Sequence, residues 1–277
     1  MNKDLGELSR KLLKEKYNES LYCPAPEPHI SGDKPVILYI GMNPAGGKDD
    51  ADRDKKTNGL FLNYYEEFED ENGLSEMLIN SKENSKGFAY KKYFYPILDF
   101  FTKASGRKIA WEWCNYPLDE LYKRIECSGF KLSESDKKCL KHCHEKYIQE
   151  AKYQLIIRDL VYYHQTKDFN TLLKSVSDSE AQKTVKDLID SYIDTIPNAN
   201  QLKLIYVSSA TSCNYVMTLP NKKIEDFGGF YYFYNGCVKI PIILAGRQLN
   251  GLGRIDNYSK IRLFSSVKSL LDSENCN

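Results

Sequence analysis

The sequence predicts an α/β fold: three layers, α/β/α, around a central, mostly parallel four-stranded sheet. Three observations predict it. Short continuous apolar runs ending in glycine, serine or asparagine recur along the chain, as expected of strands buried on both faces. Segments with helical spacing of apolar residues separate them. Finally, 277 residues, 42% of them hydrophobic, suffice to bury a full core without staples.

In chain order, residues 1–20 read as a short polar helix, and Pro24, Pro26 and Pro28 then impose an extended segment, because proline fixes φ and disfavours helix just before it. PVILYIG, residues 35–41, is the first buried strand. Residues 42–58 are loop, rich in Gly, Asp and Lys, and the acidic run from Glu66 to Glu71 is a solvated face. Residues 91–106 place Phe94, Ile97, Leu98 and Phe101 at helical spacing and end on Gly106. KIAWEWCN, residues 108–115, is the second strand. From Ser133 to Asp194 the pattern reads as helical throughout, KYQLIIRDLVYYH included, giving a helical insertion at about residues 133–195 within one domain spanning 1–277. LKLIYVSS, residues 202–209, and KIPIILAG, residues 239–246, are the third and fourth strands, and a helix over 258–271 closes the chain.

Lysine plus arginine number 39 and aspartate plus glutamate 38, so the net charge of +1 excludes a histone-like polycation and an acidic tail. Any nucleic-acid contact must come from a local patch. No apolar stretch approaches the length of a membrane span, and the polar beginning lacks the apolar core of a secretory signal, which predicts a soluble cytoplasmic protein without a membrane partner. The eight cysteines are too sparse and irregular for a disulfide framework. Cys139 and Cys143, one helical turn apart beside His142 and His144, invite a metal site with Cys127, but no CxxC pair occurs and a core-facing pair is the simpler reading. No metal and no cofactor is expected.

Ligands of such sheets bind beyond the carboxyl ends of the strands, which directs attention to three loops. Gly41-Met42-Asn43-Pro44-Ala45-Gly46-Gly47-Lys48-Asp49 superficially suggests a phosphate-binding P-loop. It fails on spacing, with five residues between Gly41 and Gly47-Lys48 instead of four, and Asp49 replaces the hydroxyl that would hold magnesium. Asn115, closing the second strand, offers an amide donor and a carbonyl acceptor that suit a Watson–Crick edge, or simply stabilise a turn. The third loop runs from Arg247 through Gln248, Asn250, Gly251, Leu252 and Arg254, and with Lys260, Arg262 and Lys268 it forms a basic patch opposed by Asp256 alone. The tyrosine cluster Tyr231, Tyr232 and Tyr234 offers stacking surface or core.

Together these loops resemble the uracil-DNA glycosylase superfamily. Gly41-Met42-Asn43-Pro44 matches the GMNP or GINP motif of its single-strand-selective and mismatch-specific branches, and Gln248-Leu249-Asn250-Gly251-Leu252-Gly253-Arg254 is similar to NPSGLSR of the mismatch branch. The resemblance implies a uracil-DNA glycosylase-like fold and a monomeric enzyme that flips a damaged, mismatched or modified base out of DNA and hydrolyses its N-glycosidic bond. It implies that Asn43 holds the attacking water and that Gln248 donates to the leaving base. Gly41, Met42, Pro44, Ala45, Phe61 and Asn115 would enclose the base, with Phe61 stacked on it. Leu252 would fill the vacated stack, while Arg247, Asn250, Gly251, Arg254, Ser208, Ser209 and Thr211 would contact the DNA.

Two departures shape the expected chemistry. Asparagine at position 43 cannot act as a base, so hydrolysis leans on departure of the base. Ala45-Gly46-Gly47 stands where many relatives carry a bulky residue, which implies a roomier pocket fit for thymine, a damaged base or a substituted pyrimidine of modified phage DNA, in repair or in defence. A catalytically silent nucleic-acid-binding module of the same fold is the alternative, and a nucleotide-binding NTPase a third reading.

Overall fold

The computed structural model describes residues 34–41, 95–111, 117–127, 131–160, 183, 201–219, 223–226, 230–235, 237–249 and 255–272. The expected helix at 1–20, the loop at 42–58, the acidic run at 66–71, most of 161–200 and the turn at 112–116 lie outside the described residues.

Seven strands form a mixed sheet: β1 (Val36–Gly41), β2 (Ile109–Trp111), β3 (Tyr153–Asp159), β4 (Leu202–Val207), β5 (Lys223–Asp226), β6 (Tyr231–Asn235) and β7 (Val238–Leu244). Their order is β2-β3-β1-β4-β7-β6-β5. The pairs β2–β3 and β4–β7 are parallel, whereas β5–β6 and β6–β7 are antiparallel. The α/β class therefore holds, but the sheet has seven strands rather than four.

All six residues of β1 are buried, as its unbroken apolar run requires of a strand covered on both faces. The reading of residues 133–195 as helical throughout is corrected at Tyr153–Asp159, which is β3, a strand of the sheet interior lying between β2 and β1. Its apolar stretch is short and rich in isoleucine, and length separates such a strand from a buried helix better than periodicity does. The polar Gln154 is fully buried there, because its backbone N–H donates to Pro35 O at 2.9 Å and its side-chain amide donates to Lys34 O at 2.9 Å. The strands β5 and β6 were also not foreseen, being short and apolar on one face only. Phe233 is buried, while Tyr232 and Tyr234 alternate with it and stay half-buried, with the Lys239 ammonium 3.8 Å from the centre of the Tyr232 ring.

Among the described residues five helices accompany the strands: α1 (Tyr95–Ser105), α2 (Leu118–Cys127), α3 (Glu134–Glu150), α4 (Ala210–Met217) and α5 (Asn257–Asp272). In α1, Ile97, Phe100, Phe101 and Ala104 are buried along one face, and Gly106 ends the helix at φ 60°, the left-handed conformation that glycine adopts freely. Ser133 and Asp136 cap α3 reciprocally: Ser133 N–H donates to the Asp136 carboxylate at 2.7 Å and Asp136 N–H donates to Ser133 Oγ at 3.2 Å. That helix sets Cys139 and Cys143 one turn apart, as expected.

The chain divides into two compact units. One comprises Met1–Pro28, Leu38–Gly59 and Ile157–Arg247; the other comprises His29–Ile37, Leu60–Ile156 and Gln248–Asn277. In the second unit α5 packs on α1, with Phe264 edge-on to Phe100 at 5.9 Å, and Tyr153 donates its hydroxyl to Leu271 O at 3.2 Å. Among the described residues no helix is long and apolar enough to cross a membrane.

Candidate functional site

In the first unit the carboxyl ends of β1, β4 and β7 lie side by side. Val207 is in register with Leu244, Ala245 N–H donates to Val207 O at 3.0 Å, and Ser208 N–H donates to Ile40 O at 2.9 Å. At roughly 4.8 Å per strand, Gly41, Ser208 and Ala245 span about 10 Å of one sheet edge. Below the edge Tyr39 and Tyr206 stack, ring centres 5.4 Å apart and planes 8° apart, which fixes the β1–β4 pair in position.

A serine relay binds these ends together. Ser209 is the N-cap of α4, in extended backbone conformation, and its Oγ accepts from Ser212 N–H at 3.0 Å. The same Oγ donates to Ser212 Oγ at 2.7 Å, and Ser212 Oγ in turn donates to Gly41 O at 2.7 Å. The relay therefore ends on the carbonyl that immediately precedes Met42 and Asn43. Ser212 is fully buried. It was not singled out from the sequence, although serine at positions 209 and 212, directly after a strand, is the spacing that a capped helix requires.

Cys213 sits beside the relay. Its Sγ lies 3.7 Å from Val207 O, and the Gly246 backbone N–H donates to it, so one thiol joins α4 to the ends of β4 and β7. Burial pushes the thiol up to about 11, which leaves it protonated and unreactive at neutral pH. Burial also raises the Tyr206 hydroxyl, helped by Tyr39 and Cys213. Gly246 has φ +68°, so the chain leaves β7 through a conformation costly for other residues.

Of the residues singled out from the sequence, the structure brings Gly41, Ser208, Ser209, Thr211 and Arg247 to this edge. Gly41 is the buried last residue of β1. Ser208 is completely buried, and its hydroxyl donates to Ile40 O at 3.0 Å. It thus ties strand ends together and offers no surface to a phosphate. Ser209 and Thr211 are half-buried, and Arg247 is exposed with no ion-pair partner among the described residues. In the second unit Gln248 is half-buried, and its carbonyl accepts from Ile255 N–H at 3.0 Å. With Leu249 and Ile255 both buried, that bond closes the base of the Gln248–Arg254 segment. Met42, Asn43, Pro44, Ala45, Phe61, Asn115, Asn250, Gly251, Leu252 and Arg254 lie outside the described residues.

The arrangement defines a class: a mixed α/β protein whose glycine-rich loops leave from adjacent parallel strand ends. No protein-family model, curated protein or solved structure matches the chain.

Proposed function

We propose that the chain is a metal-free, monofunctional DNA glycosylase of the uracil-DNA glycosylase type, acting on DNA as a monomer. One observation supports this reading above the others. Gly41, which precedes Met42-Asn43-Pro44 in the sequence, the serine-capped start of α4 and Arg247 lie at three neighbouring strand ends. Neighbouring strand ends of this kind are where a base-sized site would form in such a sheet.

In this reading the target nucleotide is swung out of the stack at a cost of a few kcal/mol, and Leu252 takes its place. Asn43 orients a water whose oxygen bonds to C1′ as the C1′–N bond breaks. The base departs with the bonding electrons, and the proton lost by the water neutralises it. Gln248 donates a hydrogen bond to the oxygen of the departing base. Neither Asn43 nor Gln248 takes up a proton, so rate depends on how readily the base is expelled, and the small Ala45-Gly46-Gly47 stretch leaves room to admit bulky or substituted bases.

The test is a panel of oligonucleotides carrying uracil, mismatched thymine and substituted pyrimidines, read as alkali-labile abasic product. Product on at least one substrate, lost in Asn43→Ala, is the expected result. Ala45→Phe should remove action on the largest base first; equal loss on uracil contradicts the pocket argument. Binding without cleavage across the panel overturns the enzyme in favour of a silent binding module.

A further inference from the structure

The last strand of the sheet, which belongs to the first unit, carries a charge pattern that the excision chemistry does not use. β5 lies beyond β6 at the end of the strand order, and a terminal strand leaves on its outer side the backbone N–H and C=O groups that its inner neighbour does not take up. Such an edge can accept a further strand. Its side chains select which one.

From Lys222 the sequence reads Lys-Lys-Ile-Glu-Asp, two cations and two anions placed symmetrically about Ile224. Within β5, Lys223 and Glu225 share one face and form an ion pair along the strand, with side chains 70% and 35% exposed. Tyr234, in register with Lys223 on β6, donates its hydroxyl to Glu225 at 2.7 Å and holds that carboxylate on the same face. On the other face Ile224 is in register with Phe233, and Phe233 with Ile240. Phe233 and Ile240 are buried whereas Ile224 is half-buried, so this apolar row stays open at the edge.

A second copy of β5 fits the edge in one register. In a two-fold antiparallel pair, residues opposite each other lie on the same face of the sheet. Centred on Ile224, the pair sets Lys223 of each copy against Glu225 of the other and Ile224 against Ile224. Together with the ion pair inside each strand, the four charges alternate in sign around a square, with directly opposite side chains about 4.5–5.5 Å apart. The two isoleucines close the open end of the apolar row. Moving the centre to Lys223 or to Glu225 sets like charges face to face, and a parallel in-register pairing does so at both positions, which destabilises a sheet. An edge of lysines alone repels every copy. The balanced pattern admits the antiparallel one.

We propose that two copies of the chain join antiparallel along β5, centred on Ile224, into one continuous sheet. The pairing concerns the free protein. Each copy keeps its own strand ends at β1, β4 and β7, so excision by one copy acting alone on DNA does not depend on it.

The test is sedimentation velocity of the full chain over a range of protein concentrations. Wild type should show a concentration-dependent equilibrium between monomer and dimer. Lys223→Glu and Glu225→Lys each turn both contacts across the seam into like-charge pairs, and each should weaken self-association by roughly 10-fold or more. Mixed in equal amounts, the two variants again set opposite charges face to face, so the mixture should recover the dimer that neither forms alone. The double variant Lys223→Glu with Glu225→Lys, which keeps an ion pair within the strand, should recover it too, and it decides the matter if circular dichroism shows a single variant unfolded. Wild type that stays monomeric at every concentration overturns the proposal. So do single variants that dimerise as well as wild type, and so does recovery in neither the mixture nor the double variant. Abasic product on the oligonucleotide panel is read separately, so the seam and the glycosylase fail independently.

Discussion

Ser212→Ala tests how the strand ends are held. The substitution removes a fully buried hydroxyl that donates to Gly41 O at 2.7 Å and accepts from Ser209 Oγ at 2.7 Å. Losing the donor to a buried carbonyl costs about 1–3 kcal/mol. Ser208→Ala is the matched control, because it deletes a similar bond, 3.0 Å to Ile40 O, while that carbonyl keeps the Ser208 backbone N–H at 2.9 Å. Its expected cost is only about 0.5–1.5 kcal/mol. At roughly 2–4 °C per kcal/mol for a chain of this size, Ser212→Ala should lower Tm by about 2–12 °C and Ser208→Ala by about half as much. Ser209→Ala removes a helix cap and should cost about 1 kcal/mol. Ser209 and Ser212 share one hydrogen bond, so the double substitution should cost less than the sum of the singles by about 0.5 kcal/mol or more. Urea unfolding of the four variants measures all of this. A Ser212→Ala loss no larger than that of Ser208→Ala, with additive behaviour of the pair, would refute the claim that the relay holds the Gly41 carbonyl. In the oligonucleotide assay, below the unfolding transition, Ser212→Ala should slow product formation more than Ser208→Ala, since Gly41 leads directly into Asn43.

Three further outcomes follow from local geometry. Gly246→Ala meets no heavy atom within 4 Å of the new Cβ but must hold φ +68°, so it should cost only the backbone strain, about 1–2 kcal/mol in urea unfolding; a larger loss would mean a close contact. Cys213, with a thiol pushed up to about 11, should resist iodoacetamide at pH 8 while the exposed Cys237 is alkylated, as read by peptide mass mapping. The same shift has a stability consequence. The unfolded thiol titrates near 9.0 and the folded one near 11, so stability is full below pH 9 and declines between those values, a slope that Cys213→Ala should reduce. The Asp256 carboxyl is held below its ordinary 3.8 chiefly by the Ser259 backbone N–H. Wild type should therefore exceed Asp256→Ala in stability at neutral pH, and lose that advantage as pH falls through the lowered value in acid-unfolding curves.

The strands that could be read in advance share one physical trait. β1 is buried throughout, β4 from Leu204 to Val207 and β7 at Ile240, Ile242 and Ile243, and each carries an apolar run closed by glycine or serine and bounded by turn-forming sequence. β3 shares their burial, yet carries Gln154 and Arg158 and follows a long charged helix, so its short apolar stretch was absorbed into the helical pattern around it. Gln154 is accommodated in the sheet interior where Lys34 and Pro35 present carbonyls beside it, a long-range arrangement that no local pattern announces. β5 and β6 escaped for the opposite reason. β5 is mostly charged and β6 is a tyrosine-rich run that reads equally as stacking surface, with Tyr234 donating to Glu225 at 2.7 Å on the face away from Phe233.

At the described strand ends of the candidate site, position was legible and orientation was not. Where a loop leaves the sheet follows from where a strand ends, and strand ends were readable, so Gly41, Ser208 and Arg247 could be assigned to one region from sequence. Whether a serine there faces solvent or a neighbouring carbonyl depends on which strand pairs beside it. Ser208 and Ser209 are adjacent and identical in type, yet one is sealed against Ile40 and the other caps α4. The difference has a functional reading under the glycosylase proposal. The hydroxyls of this region hold the Gly41 and Ile40 carbonyls, and in this reading contact with DNA falls to the exposed Arg247. Hydrogen-bonded strand ends with a long-stemmed, exposed cation beside them would suit, under that proposal, an enzyme that must fix one water closely and grip a flexible backbone loosely. Serine substitutions should therefore act on turnover and stability, and arginine substitutions on affinity and its salt dependence.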